Sequence, residues 1–254
     1  MAFEEYHSID VVIRSFGYSP LLSTTIQSLL SQEGILCNFI IVNSCASNHG
    51  LSMLSNNLVV IPYIAPKFNY SDSINVAIPS LKSEFTLVIS SHTSILNSLA
   101  LRYAVSILSS NYLVAAVNFS DSSDGSLSYN SVDARSFDGW NGTWNTASLY
   151  RTQLLRSRPF RTDVLSAEDQ EWSRWAVEIM GMDICHITGS CTVNANPRKY
   201  SVAKRLKEWE FISAFAYPSY LSINFIATKL RSSAGLLARL RIKDSIFELM
   251  VAFV

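Results

Sequence analysis

The first 120 residues alternate between short, β-branched apolar runs and segments whose apolar residues recur at helical spacing. The runs at residues 10–16, 38–42, 58–63, 85–89 and 113–119 are predicted strands. Helices are predicted after Pro20, over 71–81 and over 97–109, with a helical turn after the second strand. This alternation is typical of a mostly parallel, doubly wound sheet, so we expect an α/β, Rossmann-like fold.

The predicted central strand, residues 85–89, runs directly into a polar tip made of Ser90, Ser91 and His92. Its apolar residues suit a strand that is covered on both faces. In open α/β sheets, ligands bind beyond the carboxyl ends of the strands. The polar tip is therefore a candidate floor of a binding site.

The amino-acid composition argues against several classes of protein. Of the 254 residues, 48% are hydrophobic and 16% are charged, which allows a large core and excludes global disorder. Lys and Arg balance Asp and Glu at 20 each, which argues against a nucleic-acid partner. The four cysteines form no C-x-x-C pair and are expected to be reduced thiols. The acidic N-terminus lacks a signal-peptide core and no apolar run reaches membrane-spanning length, so we expect a cytoplasmic protein.

The second half of the chain begins with a polar stretch, residues 120–147, that is predicted to be a long loop carrying Trp140 and Trp144. A helix is predicted to open near Ser166 and Asp169, which have capping-box spacing, and to end at Gly181. Strands are expected at 183–188 and 191–193. Residues 204–254 hold eight Lys or Arg against four Asp or Glu. We divide the chain into a domain over 1–203 and a basic amphipathic helical tail over 204–254, packed on the domain, on a second subunit or on a membrane surface.

Four short motifs follow one another in a recognisable order. They are Ile13 to Tyr18, Val42 to Asn48, Phe68 to Asn75, and Glu168 to Trp172 with Arg174. Together they resemble the motifs of the inverting nucleotide-sugar glycosyltransferases of family two, which have the GT-A fold. The resemblance is closest to the rhamnosyltransferase-like branch, in which S-x-H stands in place of D-x-D.

The resemblance implies a role for each matched residue. Catalysis is expected at Asp169 with Glu168 beside it, donor binding at Arg14, Asn43, Asn75, Ser90, Ser91 and His92, and acceptor binding at Trp140, Trp144 and Trp172. Asp169 would take the proton of the acceptor hydroxyl. A carboxylate in a first helical turn also acts as a cap, and that alternative stays open. Arg14 would pair with a phosphate or with an internal carboxylate, and tryptophans also serve as core or loop anchors.

The metal motif is where the sequence departs furthest from this family. There, D-x-D binds a divalent cation such as Mg²⁺ or Mn²⁺ that assists departure of the diphosphate. Here the matching residues are Ser90, Ser91 and His92, and Asn43 and Asn48 also stand where the family has Asp. His92 is a candidate metal ligand, a phosphate partner when protonated, or a residue that caps a loop. Dependence on a metal therefore stays open.

We predict an enzyme that transfers a sugar from a nucleotide-diphosphate donor to a hydroxyl of a saccharide or lipid-linked saccharide, with inversion, in surface-polysaccharide assembly. A lipid-linked acceptor would bring it to the inner face of the membrane, through peripheral contact or a homodimer formed by the tail. The alternative is a catalytically degenerate GT-A domain that binds a nucleotide sugar or a protein. The lost acidic residues favour the alternative, whereas Glu168 and Asp169 favour the enzyme.

Overall fold

The computed structural model describes residues 6–120, 126–164, 166–190, 192–194 and 202–216. The strands in these residues are β1 (His7–Ser15), β2 (Ile35–Asn43), β3 (Leu58–Pro62), β4 (Phe85–Ser90), β5 (Thr93–Ile95), β6 (Val114–Phe119), β7 (Ser128–Val132), β8 (Ala147–Arg151), β9 (Asp183–Thr188) and β10 (Thr192–Asn194). The α-helices are α1 (Pro20–Leu30), α2 (Tyr70–Asn75), α3 (Ala100–Ser110), α4 (Thr152–Ser157), α5 (Glu168–Arg174) and α6 (Val202–Phe211). Helices α5 and α6 each continue into a π-helical turn, at Trp175–Ile179 and Ile212–Ala216.

Eight strands form one mixed sheet in the order β3-β2-β1-β4-β8-β6-β9-β7. The first four in this order are mutually parallel, and β9 is parallel to β6. Strands β8 and β7 run antiparallel to their neighbours. Strands β5 and β10 form a separate antiparallel pair. The predicted α/β fold, a mostly parallel sheet flanked by helices, is confirmed.

The central strands carry apolar residues on both faces because both faces of the sheet are covered. In β1, Val11 and Ile13 join a core that also includes buried residues of α1 and α3. Val12, which lies between them, points to a second core on the opposite face, shared with Trp172 of α5. All six residues of β4 are buried, as the sequence predicts for this strand. The sheet therefore fixes the directions in which β1 and β4 run out into their polar ends.

Helix α1 begins where the sequence predicts. The Ser19 hydroxyl accepts a hydrogen bond from the Leu22 backbone N–H at 3.1 Å, and Pro20 occupies the first helical position. Its apolar face is buried through Leu22, Ile26 and Leu29. The preceding turn carries Gly17 at φ +72°, a left-handed conformation that glycine adopts without strain. This turn sends the chain back over the sheet directly after β1.

The structure does not match every prediction. The helix expected over 71–81 ends at Asn75 and resumes only as a 3₁₀ turn at Ile78–Ser80, because Pro79 has no N–H to continue an α-helix. The helical turn predicted after the second strand is present as a 3₁₀ turn at Leu51–Met53. Within the stretch predicted as loop, β7 pairs with β9 at the sheet edge. Four of its five residues are exposed, so the strand has no apolar alternation that would reveal it.

Part of the predicted tail contacts the main domain. Trp209, Ile212 and Ala216 are buried against Trp140 and Ala167. Residues 217–254 lie outside the described residues, as does Cys191, the fourth cysteine. Among the residues that are described, Cys37, Cys45 and Cys185 are free thiols. No helix in the described part of the chain is both long and apolar enough to cross a bilayer.

Candidate active site

A cavity of about 520 Å³ opens at the carboxyl ends of β1, β2, β3 and β4. We call it the strand-end cavity; its lining comprises Arg14, Ser15, Phe16, Ser44, Tyr63, Ile64, Ala65, Phe68, Tyr70, Ser90, Ser91 and His92. Four residues predicted as donor contacts are among them: Arg14, Ser90, Ser91 and His92. They come together because parallel strands end at the same edge of the sheet.

One wall of the strand-end cavity is aromatic. The Phe68 ring makes edge-to-face contacts with Tyr63, at a centroid distance of 6.0 Å, and with Tyr70, at 5.0 Å. Phe16 and Phe68 remain well exposed. The lining also carries polar groups, which include the serine hydroxyls and His92. A ligand that combines a flat ring with oxygen atoms matches this lining.

Arg14 links the strand-end cavity to a pair of buried carboxylates. Its guanidinium carbon lies 5.1 Å from the centroid of the Tyr70 ring, and its Nη1 lies 3.6 Å from Oε1 of Glu168. That nitrogen is buried and has no hydrogen-bond partner among the described residues. Of the two partners that the sequence allowed for Arg14, the internal carboxylate is therefore present.

Glu168 and Asp169, the carboxylate pair, form the first turn of α5 and are only 5% and 8% exposed. The Asp169 Oδ2 accepts a hydrogen bond from the Asn145 backbone N–H at 2.9 Å, and its Oδ1 accepts one from the Gln170 N–H at 2.9 Å. The predicted capping box is wrong, because the N-cap residue is Ala167, at φ 67°, and no side chain caps the helix. Asp169 therefore anchors a neighbouring loop as well as its own helix.

The surroundings of Asp169 move the pKa of its carboxyl group towards neutral pH. Burial, and next the negative charge of Glu168, raise the pKa of Asp169 from 3.8 to about 7. The two backbone N–H groups and Arg14 act in the opposite direction but do not cancel this. A carboxylate with such a pKa exchanges a proton readily near neutral pH, as a general base must.

Asn145 connects the strand-end cavity to the carboxylate pair. Its Nδ2 donates to Glu168 Oε1 at 3.1 Å, and its Oδ1 accepts from the Tyr150 hydroxyl at 2.9 Å. Its carbonyl accepts from the Ser90 Oγ at 3.3 Å. Burial, with a smaller contribution from Asp169, raises the pKa of Tyr150 well above its ordinary value, so this hydroxyl stays a donor.

Asn145 and Tyr150 have no place in the sequence prediction. Neither lies in a motif, and each reaches the site only because β8 inserts between β4 and β6. The only signal of the site in this part of the sequence is that Asn145 is a polar residue two positions before an apolar strand.

The loop that carries Asn145 is held against α5 by further hydrogen bonds. The Gly142 N–H donates to Gln170 Oε1 at 2.9 Å, and the Thr143 N–H donates to Ser173 Oγ at 2.8 Å. Gln170 Nε2 donates to the Thr143 carbonyl at 2.7 Å. A Cβ at Gly142 would lie 2.5 Å from the Ser173 Cβ, so only glycine permits this close docking.

Two predicted donor contacts, Asn43 and Asn75, have their amides engaged inside the protein. Asn43 is fully buried; its Oδ1 accepts from the N–H groups of Gly17 and Cys45, and its Nδ2 donates within the loop that follows β2. Asn75 Nδ2 donates to the Phe160 carbonyl at 2.7 Å, and its Oδ1 accepts from the Phe160 N–H at 3.0 Å. Each amide therefore holds backbone groups of a loop in place.

The predicted tryptophan wall is divided between two environments. Trp172 has no exposed surface, packs on Tyr150 in the core and donates its indole N–H to the Arg158 carbonyl, so its ring is not available to an acceptor. Trp140 and Trp144 are half-buried and meet edge to face at a centroid distance of 5.1 Å. They lie on either side of the loop segment that docks on α5.

The residues at the end of β4 are a poor match for a divalent metal. Mg²⁺ and Mn²⁺ prefer carboxylate oxygens, whereas this position offers two serines and His92. Among the described residues, no three His, Cys, Asp or Glu side chains gather into a metal-binding group. The metal that the resemblance implies therefore does not fit the donor set seen here.

Comparison with known proteins supports the fold. No protein-family profile matches the sequence, and no curated protein matches it. The mannosyltransferase PcManGT from Pyrobaculum calidifontis, solved in complex with GDP-Man and Mn²⁺, superposes with a TM-score of 0.66 over 98% of this chain and 87% of its own, at 15% identity. TarS 1-349 of S. aureus, in complex with UDP-GlcNAc, gives 0.58 over 85% and 68%, at 16% identity. A mycobacterial protein gives 0.58 over 84% and 76%, at 11% identity. At these identities the likeness establishes the fold alone: this chain has the Rossmann-like GT-A fold.

Proposed function

We propose that this chain is a glycosyltransferase that moves a sugar from a nucleotide-diphosphate donor to a hydroxyl of a saccharide or lipid-linked saccharide. One observation carries the proposal: the strand-end cavity and the carboxylate pair lie at the same sheet edge and are joined through Arg14. The cavity offers an aromatic wall for a nucleobase and hydroxyl groups for a diphosphate. The structures bound to GDP-Man and UDP-GlcNAc share the fold and support a nucleotide sugar as the ligand.

In the proposed reaction, Asp169 accepts the proton of the acceptor hydroxyl. The acceptor oxygen forms its new bond to the anomeric carbon, and the bond from that carbon to the diphosphate oxygen breaks. Attack from the face opposite the leaving group inverts the anomeric centre. A pKa of about 7 leaves Asp169 partly ionised at neutral pH, which suits this role. Glu168, held by Arg14 and Asn145, keeps that pKa raised.

The acceptor and the cellular setting are inferred from sequence alone. We place acceptor contacts at Trp140 and Trp144, which are half-buried beside the loop docked on α5. We also retain surface-polysaccharide assembly as the setting, and contact with a membrane or a second subunit through the basic segment 204–254, most of which lies outside the described residues.

A second candidate function is a non-catalytic domain that binds a nucleotide sugar. Both oxygens of Asp169 already accept backbone N–H groups, as they would in a carboxylate with a purely structural role. The described lining of the strand-end cavity also holds no carboxylate.

A binding panel followed by a transfer assay tests both candidates. Calorimetry with UDP-, GDP-, dTDP- and CMP-sugars identifies the donor, and binding to none of them would refute both functions. With a donor in hand, Asp169→Asn should retain donor affinity and lose transfer by roughly a hundredfold or more. Asp163→Asn, at an exposed carboxylate paired with Arg161, is the control. Transfer by Asp169→Asn at the wild-type rate would remove Asp169 from the mechanism, and no transfer by the wild type to any saccharide tried would favour the binding domain.

A further inference from the structure

We propose that the strand-end cavity binds the diphosphate of its nucleotide without a divalent cation, and that the Arg14 guanidinium supplies the positive charge. This inference rests on the proposed function only in taking a nucleotide diphosphate as the ligand. It arises from a mismatch: PcManGT, which shares the fold, was solved with Mn²⁺, whereas the described lining of the strand-end cavity holds no carboxylate.

The first argument concerns the available ligands. None of the described residues that line the cavity bears a carboxylate. Ser90, at the end of β4, is only 8% exposed and donates its hydroxyl to the Asn145 carbonyl. A neutral hydroxyl competes poorly with water for Mg²⁺ or Mn²⁺. His92 alone would have to hold the ion.

The second argument concerns the carboxylate pair behind the cavity. The two carboxylate oxygens of Asp169 accept hydrogen bonds from two backbone N–H groups. Glu168 accepts a hydrogen bond from the side-chain amide of Asn145 and forms an ion pair with Arg14. To recruit either one, a metal ion would have to replace these contacts. It would also approach the positive charge of Arg14, which lies between Glu168 and the cavity and would repel it.

The third argument concerns Arg14 itself. The guanidinium is oriented by the Tyr70 ring and by Glu168, so little conformational freedom remains to be lost when a ligand binds. Its Nη1 is buried and faces Glu168, while the residue itself lines the cavity. A guanidinium held in this way can form short, charge-assisted hydrogen bonds to phosphate oxygens through its other N–H groups. The nearby hydroxyl of Ser91, which also lines the cavity, can donate to a further oxygen.

Calorimetry of the full chain with UDP and GDP, in excess EDTA and in excess MnCl₂, tests the proposal directly. We expect at least one nucleotide to bind in EDTA, with a Kd within about threefold of that in MnCl₂. Binding that is more than about tenfold tighter with Mn²⁺ would overturn the inference and leave the proposed function intact. Failure of both nucleotides and of the sugar panel in both buffers would instead refute the proposed function, and this inference with it.

Two sets of variants test the role of Arg14. Arg14→Met should weaken nucleotide binding in EDTA by roughly ten- to a hundredfold, and Arg14→Lys by less, because the charge survives without the planar donor set. Arg102→Met, at an exposed arginine on α3 outside the cavity lining, is the matched control and should bind as the wild type does. Equal affinities for Arg14→Met and Arg102→Met would contradict the proposal.

A reciprocal variant restores the acidic pattern. Ser90→Asp combined with His92→Asp should weaken binding in EDTA, because two carboxylates then face the diphosphate, and should make binding respond to Mn²⁺. Thermal unfolding of this variant establishes that it is folded before binding is measured. A folded variant whose affinity remains indifferent to both the carboxylates and Mn²⁺ would show that the diphosphate does not lie at the end of β4, and would overturn the inference.

Discussion

Replacing Asp169 by Asn should change the pH dependence of stability in a direction that follows from its burial. The pKa of Asp169 is raised from 3.8 to about 7, so between these values the folded chain holds a proton that the unfolded chain releases. The stability that this bound proton contributes is therefore fully present below pH 4 and is lost as the pH rises through 7. At about 1.4 kcal/mol for each tenfold change in proton affinity, the whole effect is on the order of 4 kcal/mol.

Asn cannot ionise, so the variant lacks this loss. It does sacrifice one acceptor, since two N–H groups, from Asn145 and Gln170, donate to the two carboxylate oxygens. Leaving one of them unsatisfied costs about 1–3 kcal/mol at every pH. We therefore expect the difference in unfolding free energy between Asp169→Asn and the wild type to move in favour of the variant as the pH rises from 5. By pH 8 the variant should have gained about 2–3 kcal/mol relative to the wild type, enough to match or exceed it.

Urea unfolding, followed by the fluorescence of the five tryptophans at pH 5, 6, 7 and 8, measures both proteins under the same conditions. The quantity of interest is the difference in unfolding free energy between variant and wild type, since other titrating groups cancel in it. Asp163→Asn is the control: Asp163 is exposed and Arg161 lowers its pKa, so this difference should be flat over the same range. A flat difference for Asp169→Asn as well would show that Asp169 is already ionised at pH 5, and the reasoning from burial would be refuted.

Three further predictions follow from the same geometry. For a confirmed transferase, kcat/KM should rise with pH and reach half its maximum near pH 7, where Asp169 becomes ionised; a profile level from pH 5 to 9 would contradict the base role. Gly142→Ala places a Cβ 2.5 Å from the Ser173 Cβ, so the variant should have a free energy of unfolding lower by about 1–3 kcal/mol and a reduced rate of transfer. Wild-type values in both assays would contradict the docking of this loop on α5. Arg151→Met should lower the free energy of unfolding by about 2–4 kcal/mol, because the Arg151 guanidinium donates hydrogen bonds to backbone carbonyls that include that of Val114, at 2.8 Å. A loss of stability no larger than that of Arg102→Met would contradict this role of Arg151.

The central strands of the sheet could be predicted because they are buried on both faces. All six residues of β4 are buried, so the sequence shows an apolar run that stops at the polar tip. Strand β7 escaped prediction for the converse reason, since an exposed edge strand needs no apolar residues. The placement of β8 was equally hidden, because the sequence does not show that an antiparallel strand inserts between β4 and β6.

The site was predictable to the extent that it is built from strand ends. Arg14 and Ser90 lie at the carboxyl ends of β1 and β4, and His92 lies just beyond β4, so they had to meet at one edge of the sheet. Asn145 belongs to the site through hydrogen bonds with Glu168 and Asp169, which lie 23 and 24 residues further along the chain, and Tyr150 belongs to it through its hydrogen bond to Asn145. No local pattern marks either residue. The capping role assigned to Ser166 was wrong because Ala167 enters the helix at positive φ, a conformation that spacing alone does not predict.

Asn43 shows why a lost acidic residue need not mean a lost site. The resemblance expects an Asp there, which could accept the N–H groups of Gly17 and Cys45, as Asn43 Oδ1 does at 2.8 and 3.0 Å. Only an amide can also donate to the carbonyls of Cys45 and Ser47, as its Nδ2 does at 3.0 and 2.9 Å. The asparagine therefore holds together two loops that border the strand-end cavity. Arg14 also lines this cavity, so the neutral residues at its edge are consistent with the proposed site, in which protein donors rather than a metal ion bind the diphosphate.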